Sequence, residues 1–153
     1  MVQYPLLFTF LDKVEGKEYL ADVKVYGRLL AEQDGETWWM YGVNPGGLAA
    51  SGKTRTEAYI EFRANLMKVL FDLATEAPHS FAFRTAAKQF FDEVDPETVA
   101  EWDAAREQVR RGNVNLEGIK RETAEAPRRI EISEKQTFHP QGNVVDPQLA
   151  VAA

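Results

Sequence analysis

Apolar and polar side chains alternate with a period of two over residues 4–43, and from residue 55 the apolar positions recur every three or four residues. The first period predicts strands. Residues 4–13 put Leu6, Phe8 and Phe10 on one face, and Val14-Glu15-Gly16-Lys17 supplies a turn. Residues 19–33 put Ala21, Val23 and Val25 inward between Asp22 and Lys24, with Gly27 marking a bulge or bend. Asp34-Gly35 reads as a hairpin turn into residues 38–43, which completes an antiparallel meander ended by Asn44-Pro45-Gly46-Gly47.

The second period predicts helices. Ala58, Phe62, Leu66, Val69, Leu70 and Leu73 form a stripe over residues 55–75 wide enough to cover one face of a small sheet, and Ile60, Met67 and Phe71 add a second apolar line. Ala77-Pro78 stops this helix. Ser80 can cap a second helix through residue 91. Asp95-Pro96-Glu97 starts a third, which passes through Val99, Trp102, Ala105 and Val109 and stops at Arg110-Arg111-Gly112. Beyond Gly112 the pattern thins. Ile130-Glu131-Ile132 suits a short strand able to join an exposed sheet edge, and residues 137–153 have the Pro, Gly and Gln of a mobile tail.

The expected architecture is therefore α+β: a three-stranded antiparallel sheet with one long helix packed on it, followed by a helical C-terminal region. Residues 1–77 make the α+β domain, 78–112 a helical extension, and 113–153 an extended, partly disordered tail. A chain of 153 residues can bury a real core. The absence of Cys excludes a disulfide framework, thiolate chemistry and Cys-based zinc. Without a long uncharged apolar stretch or a basic leader, the expectation is a soluble cytoplasmic protein with no membrane partner. The formal charge of −6 points to a basic partner rather than to nucleic acid. It is unevenly spread: residues 1–105 carry 10 Lys and Arg against 17 Asp and Glu, and residues 106–153 carry 8 against 7.

One stretch invites a different reading. Gly47-Leu48-Ala49-Ala50-Ser51-Gly52-Lys53-Thr54 matches the phosphate-loop pattern G-x-x-x-x-G-K-[ST], in which Lys53 would reach the outer phosphates of a nucleotide and Thr54 the Mg²⁺. The same letters make a capping box. The Thr54 hydroxyl would take the amide of Glu57, and Glu57 would return a bond to the amide of Thr54. Phosphate loops follow buried parallel strands, whereas here the preceding strand is aromatic and follows a hairpin turn, so the cap is favoured.

The meander, Pro45-Gly46-Gly47, and then Ala50-x-Gly52-Lys53-Thr54-x-x-Glu57-Ala58 opening a helix together resemble the HicB-like antitoxin family. The likeness covers residues 3–77. It implies a partial RNase H-like fold without catalytic carboxylates, used to cover a small basic RNA-cleaving toxin, with Pro45, Gly46, Gly47, Gly52, Thr54 and Glu57 as structural motif residues. Family members commonly add a C-terminal operator-binding module. Here no helix follows residues 128–132, and Asp92-Glu93-Val94-Asp95 between the second and third helices would repel a DNA backbone, which argues against DNA binding.

Candidates for other chemistry are few. His79 and His139 have no partner at metal-ligand spacing, and no G-x-S-x-G nucleophile motif is present. Asp12, Asp22, Asp34 and Asp72 could meet around a Mg²⁺, but strand alternation, a turn and a polar helix side account for Asp22, Asp34 and Asp72. No catalytic residue, metal or cofactor is therefore assigned. In the aromatic strand, Trp39 and Tyr41 point to one side and Trp38 and Met40 to the other. One side covers the long helix. The other must be buried by the helices of residues 80–111 or by another chain. Trp38, Met40, Arg128 and Arg129 are the partner-binding candidates. The expectation is a non-enzymatic, homo-oligomeric antitoxin-like protein, with a nucleotide-binding protein and a reused assembly module as the alternatives.

Overall fold

Why β1 (Gln3–Glu15) is a strand is visible in its burial: Leu6, Phe8, Phe10 and Val14 are sealed on one face, and Leu7 on the other. The computed structural model describes residues 2–122, 128–135 and 149–152. β1 pairs along its whole length with β2 (Leu20–Asp34), from Gln3 opposite Glu32 to Glu15 opposite Leu20. Gly35, at φ +60°, turns β2 into β3 (Thr37–Asn44), as the Asp-Gly signal predicts. The β2–β3 register shifts between Arg28 and Leu29, next to the glycine expected to bend the strand.

The expected three-stranded sheet with one packed helix is incorrect. Among the described residues the sheet has seven strands, mostly antiparallel, and three helices accompany it. β4 (Ala49–Gly52) continues the meander beyond β3. β5 (Lys120–Glu122) and β7 (Leu149–Ala152) extend the opposite side: β7 pairs antiparallel with β1 at Leu6, Leu7 and Phe8, and β5 runs parallel to β7. β6 (Arg129–Lys135) pairs with β2 from Leu20 to Tyr26, the part of that edge that β3 leaves open. The order is β4-β3-β2-β1-β7-β5, with β6 beside β3 on β2.

Residues 120–122, 129–135 and 149–152 of the expected tail thus belong to the sheet. Ala152 is fully buried, and a tail reading does not hold for residues 149–152. Residues 123–127 and 136–148, including His139 and most of residues 137–153, lie outside the described residues.

The helices fall where the periodicity puts them. α1 (Arg55–Glu76) buries Ala58, Phe62, Leu66, Leu70 and Ala74 against the face carrying Leu6, Phe8 and Phe10. α2 (Ser80–Asp92) adds Phe83, Ala87 and Phe91 to the same core. Its cap is His79 rather than Ser80: His79 Nδ1 accepts the Ala82 amide at 3.1 Å. α3 (Pro96–Arg110), capped by Asp95, lies on the other face, where Trp102 and Ala105 meet Leu7, Leu30, Val43, Ala150 and Ala152. Among the described residues, the second sheet face is therefore covered from within the chain by α3 and not by α2. Because α2 and α3 occupy opposite faces, they do not form a helix-turn-helix. No described helix is long and apolar enough to cross a membrane.

Candidate partner-binding face

The stretch that matches a phosphate loop is built as a strand and a cap. Ala49–Gly52 is extended and paired with Trp38–Tyr41, so its amides do not curl into an anion nest. Thr54 Oγ1 accepts the Glu57 amide at 3.1 Å, as expected of the box, but the Glu57 carboxylate returns to the amide of Lys53, at 2.9 Å, rather than to that of Thr54. The glycines serve packing. A Cβ on Gly52 would lie 2.6 Å from the Ala58 amide nitrogen, and one on Gly46 would lie 2.8 Å from the Glu93 carbonyl, to which the Gly46 amide donates at 3.1 Å. Pro45 follows a cis bond from Asn44, and Gly47 takes φ +78°.

Two outcomes test the cap. Thr54→Ala is expected to cost about 0.5–2 kcal/mol in denaturant unfolding. Lys53→Ala should leave stability unchanged, and Mg·ATP should leave the melting temperature unchanged in both proteins. Saturable ATP binding that disappears in Lys53→Ala would restore the nucleotide reading.

The aromatic strand divides as its alternation requires, but the exposed side is the opposite of the one expected. Ala31 faces Met40 and Gln33 faces Trp38 on the α1 side. Met40 is fully buried there, and Trp38 is half-buried with its ring 5.8 Å from that of Tyr4. Neither forms an open partner surface. Leu30 faces Tyr41 and Glu32 faces Trp39 on the α3 side, where α3 covers Leu30 and Val43 but leaves Trp39 36% exposed. The Trp39 and Tyr41 rings lie parallel, 6.2 Å between centroids.

Carboxylates surround this pair. Burial, the charge of Glu32 and a hydrogen bond to it, and the charges of Asp34 and Glu101 together push the Tyr41 phenol above its ordinary pKa. Glu32 also accepts Gln3 Nε2 at 3.3 Å, which fixes its position beside the rings. Glu36 follows Gly35 at the exposed hairpin tip. The result is a flat aromatic platform with an acidic rim on a rigid hairpin, suited to a guanidinium or ammonium group by both ring stacking and charge.

The arginine candidates lie elsewhere. Arg129 sits opposite Tyr26 and Trp39 opposite Glu32, six positions apart along β2 and hence roughly 20 Å. Arg129 Nε donates to Glu131 at 2.7 Å while its guanidinium covers the Tyr26 ring at 4.2 Å, so this side chain is already engaged within the chain. Arg128 is half-buried beside Arg28. The four aspartates do not converge. Asp12 lies 4.0 Å from Arg63 of α1, Asp22 faces Lys13 across strands, Asp34 is at the hairpin and Asp72 is exposed on α1. Among the described residues no three His, Asp or Glu side chains are grouped to hold a metal.

Comparison with models of known families, with curated proteins and with solved structures gives no match. What the fold and the site define is an open mixed sheet covered by helices on both faces, presenting an acidic aromatic hairpin.

Proposed function

We propose that this chain is a non-enzymatic, antitoxin-like binding protein that covers a small basic RNase. The observation that carries the proposal is the Trp39–Tyr41 platform ringed by Glu32, Asp34 and Glu101. It offers an exposed aromatic centre and negative charge on a preorganised hairpin, and a basic protein meets both requirements. The resemblance of residues 45–58 to HicB-like antitoxins supports the same partner class. Covering the toxin requires no acid, base or metal from this chain.

The test is whether the adjacent reading frame encodes a small basic protein and, if it does, reconstitution of the two. The two should form a complex in which RNA cleavage is lost, and the association rate should fall by about tenfold or more as salt is raised from low to physiological strength. Uninhibited RNA cleavage with this protein in excess would sink the reading.

A further inference from the structure

A second feature stands out against the acidic balance of the chain. Where β5, β6 and β7 approach the central strands, a cleft is lined by Thr9, Tyr26, Lys120, Arg128, Arg129 and Leu149, among others. Three of these six side chains are cationic. Among the described residues the one carboxylate in the lining is Glu122, which pairs with Lys120 at 3.4 Å. Arg128 is the unusual member: its Nε and Nη2 are sealed from solvent and, among the described residues, have no hydrogen-bond acceptor.

Arg28 deepens the asymmetry. Its guanidinium is fixed by the Asn44 side-chain oxygen and by the Trp102 ring, 4.9 Å away, and its charge is felt at Arg128. Burial first, then the positive charges of Arg28, Arg129 and Arg106, depress the Arg128 pKa, and among the described residues Glu122 opposes them. A half-buried cation with sealed, unpaired N–H groups among like charges is costly, and a sequence retains such an arrangement cheaply only when something supplies the acceptors.

We propose that this cleft binds a phosphate-type oxyanion, with the Arg128 guanidinium as its principal ligand and Lys120 and Arg129 as flanking charges. The guanidinium fork matches two oxygens of a tetrahedral anion, and the compact Lys120 ammonium adds charge without demanding geometry. The Thr9 hydroxyl at the wall can donate to a third oxygen. The site is independent of the aromatic hairpin, which lies several residues away along β2 and carries the opposite charge.

Thermal unfolding of the full chain in inorganic phosphate, against chloride at matched ionic strength, tests this. Phosphate at about ten times its dissociation constant should raise the melting temperature by about 3–6 °C. Arg128→Met should abolish that rise and, having removed an unpaired buried charge, should melt no lower than the parent in chloride. Arg128→Lys, which keeps the charge and loses the fork, should weaken the response and provides a folded control. A nucleoside 5′-monophosphate titrated in parallel identifies the source: tenfold tighter binding than phosphate assigns the anion to a nucleotide or nucleic-acid end, and equal binding assigns it to the free ion. A parent protein indifferent to both ligands overturns the proposal. So does an Arg128→Met protein that is destabilised in chloride, since the guanidinium would then already have an acceptor within the chain.

Discussion

Trp102→Ala is expected to destabilise the protein by about 3–5 kcal/mol, the usual loss for truncating a fully buried Trp. Trp102 is 2% exposed and is the largest buried side chain of the molecule. It anchors α3 on the sheet through Leu7, Leu30, Val43 and Ala150 and donates its indole N–H to the Leu6 carbonyl at 3.3 Å. The core on this face is small, because Ala105, Ala150 and Ala152 are its other α3 and β7 members. Leu7, Leu30 and Val43 line the space that truncation would leave, and their partial collapse sets where in that range the loss falls. Truncation also strips the ring from beneath Arg28. Urea unfolding of the variant measures the cost. A loss below about 1 kcal/mol would mean that α3 is not held to the sheet by this residue.

The three helices were legible because each carries a long apolar stripe between strong end signals. Thr54 and Asp95-Pro96 start two of them, and Ala77-Pro78 and Gly112 stop two. The first three strands were legible for the corresponding reason, a sustained alternation joined by a Gly turn. What failed was the width of the sheet. β4 is Ala-Ala-Ser-Gly, with no apolar alternation, and lies inside a stretch whose letters already suit two other readings. β5 has three residues, all exposed and all charged. β7 has four, and it meets β1 across more than 140 residues of sequence, a pairing that leaves no local trace. One clue was available. An expected second strand of 15 residues beside a third of six leaves edge amides without acceptors, and β6 occupies that vacancy.

The site was half legible. Alternation correctly separated Trp39 and Tyr41 from Trp38 and Met40, but choosing the buried side needed the register. A two-residue turn at Gly35-Glu36 sets Asp34 opposite Thr37, which carries Ala31 opposite Met40. Met40 therefore joins the face of Ala31 and Leu29, which the long helix covers. The acidic rim draws on three separate elements, β2, the hairpin and α3, and the sequence does not show that Glu101 of α3 comes near Tyr41. Arg128 reads in the sequence as half of a charged pair, yet its significance lies in its sealed N–H groups, which a run of two arginines does not reveal.

Trp39→Ala is expected to weaken binding to the basic partner by about 30-fold or more, equivalent to about 2 kcal/mol, while leaving the fold intact. The ring is stacked on Tyr41 and open to solvent on its other side, so its removal opens no cavity in either core. Tryptophans at the centre of an interface, ringed by polar groups, are the positions where truncation costs most. Glu32→Gln should act differently. It removes a rim charge next to the platform and should slow association with little change in the dissociation rate, an effect that vanishes at high salt. Trp38→Ala provides the contrast on the opposite face: it loses packing against Tyr4 and should lower stability without a specific loss of affinity. Surface plasmon resonance at two salt concentrations, with thermal unfolding of each variant, separates these effects. If Trp39→Ala binds as the parent does while Trp38→Ala does not, the partner sits on the α1 side and the acidic hairpin is only a solvated edge.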